Sequence, residues 1–195
     1  METTLVKNKV WLVANDITGL PVYAPVEVTI AGRKLQLTEG DLVRLGVDAI
    51  VIPANPYLQM CSGLAREVRE QGGMLIQNEC DQIGYSPVGS AVITSAGALP
   101  AQHVIHTVGP LESDPRAAER LASATREALS LADAHGLKSI ALAPITGPYG
   151  CPVEMCADIM LSAAAEYLGN AATSIDQVVF CLPDASALAA FEAKL

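Results

Sequence analysis

Five short apolar runs recur along the chain from about residue 47 onward, separated by segments with helical periodicity. Each run is nearly continuous rather than alternating, which is typical of strands buried on both faces of a parallel sheet. Because such strands alternate with helices, the pattern predicts an α/β layered domain with a largely parallel central sheet. The predicted strands are Ala49–Ile52, Ala91–Thr94, His103–Val108, Ser139–Ala143 and Val178–Leu182.

Apolar residues at helical spacing mark three segments between these strands. One predicted helix opens at Asp114-Pro115, as N-cap and first helical residue, and closes at Gly136. Another opens at Pro152 and ends at Gly169, and a shorter candidate runs from Ser62 to Gly72. Helices of this kind are expected on both faces of the sheet.

The N-terminal part of the chain has a different pattern. β-Branched residues alternate through Val22–Ile30 and then Lys34–Thr38, with a turn expected at Ala31-Gly32-Arg33. This pattern predicts hairpin strands added to the sheet edge. We expect a single domain over 1–195, with an N-terminal β extension over 1–33 and a core over 34–195, because so short an extension cannot support a core of its own.

Composition restricts the function. A formal charge of −9 argues against a nucleic-acid groove or a membrane-surface helix, which both need clustered Lys and Arg, and no apolar run reaches transmembrane length. An anionic small molecule remains open if backbone amides bind it. The five cysteines form no Cys-x-x-Cys pair and the three histidines show no ligand spacing, so we expect reduced thiols, a cytoplasmic location, and neither a metal nor another cofactor.

The segment Lys138–Pro152 carries the most chemical information, because an apolar strand runs into a glycine-rich turn that opens a helix. Glycines let a backbone approach a ligand closely, and the unpaired N–H groups of a helix start suit an anionic phosphate. Many strand-to-helix turns carry glycines for backbone reasons alone. Taken alone, the segment leaves both interpretations open.

Several further motifs follow the predicted strands, where ligands of α/β sheets bind. Together with the glycine-rich turn, they resemble the macro domain family in order and register over roughly residues 34–184. The segments that carry the resemblance are Glu39–Leu42, Asp48–Asn55, Leu99-Pro100, Val104–Pro110 and Thr146–Pro152.

The resemblance implies a three-layer α/β/α sandwich that binds ADP-ribose, either free or attached to a protein, nucleic acid or acetyl group. Asp41 would accept a hydrogen bond from the adenine amino group, a role compatible with capping a helix after Gly40. Asn55 would bind the distal ribose and is the candidate catalytic residue, although an Asx turn before Pro56 would also explain it. The ligand-binding residues implied are Asp41, Leu42, Asn55, Cys61, Ser62, Gly63, Leu64, Thr146, Gly147, Pro148, Tyr149, Gly150, Pro183 and Asp184.

Those residues have separate expected roles. The Thr146–Gly150 loop would cradle the diphosphate through backbone N–H groups, with Cys61–Leu64 on the opposite wall. Tyr149 would pack on the distal ribose, or else is a core aromatic. Pro183 would pack on adenine, in place of the aromatic residue often found there.

Two departures from the family pattern bear on catalysis. Met60, Cys61 and Ser62 occupy places where the family usually has glycines, and Ala65 stands where hydrolytic members of one branch have a water-positioning aspartate. Hydrolysis in which the substrate's diphosphate orients the water stays open. The resemblance therefore predicts a protein that binds ADP-ribose or a mono-ADP-ribosylated protein and hydrolyses the ADP-ribosyl linkage with weak or restricted activity.

Other functional classes remain as alternatives. One is a reader that binds ADP-ribose without turnover, and another is a divergent member that binds a different nucleotide or a protein. A Cys–His hydrolase is disfavoured, because His103 and His106 project to opposite faces of a strand and at most one reaches Cys61. Each histidine is better explained as a packed strand residue.

Overall fold

The computed structural model describes residues 12–15, 21–23, 26–146, 151–170 and 172–195. The described residues form nine strands, five α-helices and a short 3₁₀ helix at Leu42–Arg44. The strands are β1 (Leu12–Asn15), β2 (Pro21–Tyr23), β3 (Val26–Ile30), β4 (Arg33–Glu39), β5 (Ala49–Ala54), β6 (Ala91–Ser95), β7 (His103–Val108), β8 (Ser139–Leu142) and β9 (Gln177–Leu182). The α-helices are α1 (Gly63–Gly72), α2 (Met74–Ile83), α3 (Ala117–Ala134), α4 (Val153–Gly169) and α5 (Ala185–Glu192).

Seven strands form one mixed sheet in the order β3-β4-β9-β8-β5-β7-β6. The five inner strands are parallel to one another, and the outer strands β3 and β6 are antiparallel to their neighbours. All five predicted strands are confirmed, and the central ones are almost fully buried. The carboxyl ends of β4, β9, β8, β5 and β7 therefore meet at one edge of the sheet.

Two apolar cores lie on opposite faces of this sheet. One core joins the sheet to α3, α4 and α5, and includes Leu121, Met160 and Phe191. The other joins it to α1, α2 and the 3₁₀ helix, and includes Leu42 and Val68. The predicted three-layer α/β/α sandwich is thus confirmed.

The helix predictions need correction at three places. The helix predicted from Asp114 begins at Ala117, because Asp114 forms a turn of its own: its Oδ1 accepts from Arg116 N at 2.9 Å and its carbonyl from Ala117 N at 2.9 Å. Helices α2 and α5 were not predicted. In α2 the exposed Met74 and Leu75 obscure the apolar stripe that marks a helix face.

The predicted hairpin is confirmed for β3 and β4, which pair antiparallel from Val26 with Leu37 to Ile30 with Arg33. Ala31 and Gly32 have φ of 50° and 84°, the left-handed conformation of both central residues in a type I′ turn. Strands β1 and β2 pair with each other in a separate two-stranded sheet instead of extending the large one. The single domain over 1–195 with an extension over 1–33 stays a prediction.

None of the described helices is long and apolar enough to cross a bilayer.

Candidate functional site

A cavity of about 550 Å³ opens at the carboxyl edge of the parallel strands. Its wall takes residues from the segments that follow four of them: β4, β5, β8 and β9. Strands β5 and β8 are sheet neighbours, but the chain leaves them for opposite sides of the sheet, so the cavity lies at a topological switch point. The lining residues are Gly40, Asp41, Leu42, Pro53, Ala54, Asn55, Gln59, Ser62, Gly63, Leu64, Ala65, Glu67, Ala143, Pro144, Thr146, Cys181 and Pro183.

Asp41 lies at one end of this cavity, directly after β4. Gly40 N donates to Leu182 O at 3.0 Å, which fixes this turn beside the end of β9. The Asp41 carboxylate caps the 3₁₀ helix, because Oδ1 accepts from Val43 N at 3.1 Å, and Oδ2 accepts from Arg44 Nε at 2.9 Å. The predicted capping role is confirmed, and Asp41 lines the cavity while it fills that role.

Asn55 follows β5 and is half-buried on the cavity wall. Its Oδ1 accepts from Tyr57 N at 3.1 Å and from Gln59 N at 3.2 Å, while Nδ2 donates to Gln59 O at 2.9 Å. The predicted Asx turn is therefore present. These bonds hold the loop 55–59 in place and leave one Nδ2 hydrogen for a ligand.

Helix α1 presents its N-terminus to the cavity through Ser62, Gly63 and Leu64. No side chain of the described residues caps this helix start, and Gly63 has φ of 53°, a conformation that favours glycine. Its first amides therefore keep the N–H groups and the positive dipole end that attract an anion. Cys61, predicted with these residues, is exposed and does not line the cavity.

The loop after β8 contributes Thr146 to the cavity wall. The ends of this loop are held together, because Cys151 N donates to Ile145 O at 3.0 Å and Cys156 Sγ donates to the same oxygen at 3.1 Å. The remaining predicted loop residues lie outside the described part of the chain; they are Gly147, Pro148, Tyr149 and Gly150.

Pro183 and Cys181 lie at the end of β9, on the same side of the cavity as Asp41. Burial raises the pKa of the Cys181 thiol to about 11, with a smaller contribution from the Asp41 carboxylate. Asp184 caps α5, where Oδ1 accepts from Ala187 N at 2.8 Å. It lines a second cavity of about 480 Å³ that shares Pro183 with the first.

Two polar residues of the wall, Gln59 and Glu67, were not among the predicted site residues. Glu67 lies on α1, one turn after Gly63, and only the packing of that helix brings it to the cavity. Among the described residues of the wall the ionisable carboxylates are Asp41 and Glu67, and none is Lys, Arg or His. Binding of an anion by backbone N–H groups stays a prediction, and the start of α1 is the described part of the wall that offers such groups.

The buried thiol and imidazole groups lie away from this cavity. His106 is fully buried, with Nε2 at 3.6 Å from Cys80 Sγ and 3.0 Å from Thr94 Oγ1. Burial lowers the pKa of His106 to about 4, a shift that Glu79 partly opposes, and raises the pKa of Cys80 to about 12. His106 is a packed core residue, as predicted. The described ranges contain no metal-binding cluster of three His, Cys, Asp or Glu.

Curated relatives match most of this chain in sequence. A macro domain-containing protein in the gbd 3′ region of Cupriavidus necator is 42% identical over 163 residues, which cover 80% of this chain and 94% of that protein. An ADP-ribose glycohydrolase MACROD2 of Xenopus laevis is 35% identical over 166 residues, covering 82% of this chain and 40% of the frog protein.

Solved structures of macrodomains also match the fold of this chain. The Oceanobacillus iheyensis macrodomain with ADP matches with a TM-score of 0.83 at 27% identity, covering 88% of this chain and 94% of that one. The Trypanosoma brucei macrodomain in complex with ADP-ribose matches with a TM-score of 0.76 at 29% identity, covering 82% of this chain and 68% of that one. The macro domain family model matches residues 51–160, more than half of the sequence. The resemblance found in the motifs is confirmed, and the chain belongs to the macro domain family.

Proposed function

We propose that this chain binds ADP-ribose in the cavity at the carboxyl edge of its sheet and hydrolyses the ADP-ribosyl linkage of mono-ADP-ribosylated proteins. The observation that carries the proposal is the cavity wall, where Asp41, Asn55 and the uncapped start of α1 surround one space. Its volume lies within the range of about 300–1,000 Å³ that is common for small-molecule sites. The solved relative that binds ADP-ribose supports the choice of ligand.

The wall offers each part of ADP-ribose a suitable partner. Asp41 would accept from the adenine amino group beside Pro183, and the amides of Ser62–Leu64 would face the diphosphate. Asn55 would donate its remaining Nδ2 hydrogen to the distal ribose. No cationic side chain is needed, because helix-start N–H groups bind phosphate oxygens directly.

Calorimetric titration with ADP-ribose, with AMP as the comparison, tests the binding. We expect heat of binding with both ligands and tighter binding of ADP-ribose, because only ADP-ribose reaches the Asn55 end of the cavity. Absence of binding to ADP-ribose would contradict the proposal. Release of ADP-ribose from a mono-ADP-ribosylated protein, followed by mass spectrometry, then tests the hydrolysis.

A reader function is the second candidate, and one observation favours it. Ala65 lines the cavity without a carboxylate at the position where hydrolytic relatives of one branch have a water-positioning aspartate. A reader would bind ADP-ribose and release none from the modified protein. We further propose a cytoplasmic location, which the free thiols of the described cysteines support.

A further inference from the structure

The described wall of the cavity holds two carboxylates, and they differ in how far they are already engaged. Both oxygens of Asp41 accept hydrogen bonds, from Val43 N and from Arg44 Nε. Glu67 accepts one, from Gln71 Nε2 to Oε1 at 3.1 Å, and no described protein group donates to its Oε2. Glu67 therefore keeps an oxygen with unused acceptor capacity.

Glu67 lines the cavity together with the N-terminal residues Ser62–Leu64 of the same helix. Side chains of an α-helix lean toward its N-terminus, and this tendency favours a Glu67 carboxylate that lies over the turn beginning at Gly63. Gln71, one turn further along, holds Oε1 from the opposite side. Asn55 and Gln59 line the same cavity and are joined by two hydrogen bonds, so the residue expected at the distal ribose belongs to this wall as well.

We propose that Glu67 orients the attacking water and accepts its proton. Its carboxylate thereby takes the role that Ala65, which has no carboxylate, cannot fill. This inference rests on the proposed hydrolysis. The water oxygen bonds to the anomeric carbon of the distal ribose, and the bond from that carbon to the linking oxygen of the modified side chain breaks. For a carboxylate ester the electron pair leaves with that oxygen as a carboxylate, and the water's proton passes to Glu67 and then to solvent.

A role as base also explains why an acidic residue lies in a cavity for an anion. The Glu67 charge repels a diphosphate and so weakens binding of the ligand. Ligand affinity therefore does not explain a carboxylate at this position. A general base gives that reason, because it lowers the barrier of the reaction without contributing to ligand affinity. The two effects of this carboxylate thus have opposite signs, which makes them separable by experiment.

The test uses the full chain and a protein substrate that carries mono-ADP-ribose on a glutamate or aspartate. Glu67→Gln keeps the size and the Gln71 contact while it removes the base. We expect kcat to fall by about 100-fold or more, the scale of general-base catalysis. We expect the Kd for ADP-ribose to stay equal or decrease. Glu70→Gln is the matched control, because Glu70 is an exposed residue of the same helix outside the cavity wall and pairs with Arg66.

A second variant separates a base from a structural residue. Glu67→Ala leaves space for a small carboxylate, and added formate should restore part of its turnover without changing that of Glu70→Gln. Retention of kcat within threefold in both Glu67 variants would overturn the inference while the proposed function stands. A loss of kcat that formate does not restore would overturn it too. Wild-type chain that binds ADP-ribose without turnover would refute both the base and the hydrolysis, and leave the binding proposal intact.

Discussion

Asp41 has two roles that substitution can separate, a cap that the structure shows and an adenine contact that we propose. Its Oδ1 caps the 3₁₀ helix through Val43 N, and its Oδ2 pairs with Arg44. The pair is well exposed, with 79% of the Arg44 side chain and 38% of the Asp41 side chain accessible to solvent. The cap therefore supports the fold locally, while recognition of adenine would depend on the negative charge.

The Asp41→Ala change removes both contributions. Loss of an N-cap costs about 1 kcal/mol, and loss of an exposed ion pair adds about 0–1 kcal/mol. At roughly 2–4 °C per kcal/mol for a chain of this size, we expect Tm to fall by about 2–8 °C. A hydrogen bond to a charged group contributes about 1.5–3 kcal/mol, so the Kd for ADP-ribose should rise by about 10- to 100-fold.

The Asp41→Asn change removes only the charge. Asparagine caps as well as aspartate, so only the exposed ion pair is lost, and we expect Tm to fall by at most about 4 °C. A neutral acceptor is weaker than a carboxylate by about 1 kcal/mol, so the Kd should still rise by about fivefold. Arg44→Ala is the matched control, because it breaks the ion pair without changing the described cavity wall. We expect it to leave the Kd unchanged.

Calorimetry measures the Kd, and differential scanning calorimetry measures Tm on the same samples. A nucleotide with a carbonyl in place of the adenine amino group should bind the wild-type chain more weakly, since it cannot donate to Asp41. The reasoning is refuted if Asp41→Asn binds ADP-ribose as tightly as the wild-type chain. It is equally refuted if the carbonyl analogue binds as well as ADP-ribose.

Three further predictions follow from the other contacts. Asn55→Ala removes three partly exposed hydrogen bonds, so Tm should fall by about 2–8 °C, and turnover should fall more than affinity for ADP-ribose. The folded pKa of His106 is about 4 against an ordinary 6.5, so the unfolded chain binds more protons between these values. The free energy of unfolding should therefore decrease by up to about 3 kcal/mol as pH falls through that window, and urea titrations of His106→Gln should show a shallower decrease. Iodoacetamide at neutral pH should label the exposed Cys61 in the folded chain and spare Cys181, because Cys181 is buried and its thiol has a raised pKa. Mass spectrometry of tryptic peptides measures the labelling of both cysteines. Equal labelling of the two would contradict this prediction.

The apolar pattern predicted the sheet well, because the inner strands β5, β7, β8 and β9 are short apolar runs buried on both faces. Helix α4 was equally clear, since Pro152 precedes it and Gly169 ends it. Helix α2 was hidden because Met74 and Leu75 are exposed and break the stripe. Helix α5 has eight residues, and its alanine-rich sequence gives no clear apolar stripe, although the Asp184 carboxylate caps it.

The resemblance to the macro domain family supplied the predicted site residues in the segments after strands, but it did not supply Glu67. The segments after β4, β5, β8 and β9 contain Asp41, Asn55, Thr146 and Pro183, and the parallel sheet brings all of them to one cavity. Glu67 lies within a helix, so its place at the cavity depends on how α1 packs against the sheet. A local sequence pattern contains no signal for that packing. The pattern around Glu67 is typical of the charged, solvent-exposed face of a helix.

The strand order has a consequence for how the protein is made. Strand β9 is the last strand in the chain, yet it lies between β4 and β8 in the sheet. Until the ribosome has delivered β9, the β3–β4 hairpin cannot join the other strands, and β4 and β8 each present an unpaired edge that another chain can bind. Premature termination before Gln177 would therefore yield an aggregation-prone fragment with no ligand site, because Asp41 and Asn55 are brought to one cavity only when β9 is inserted.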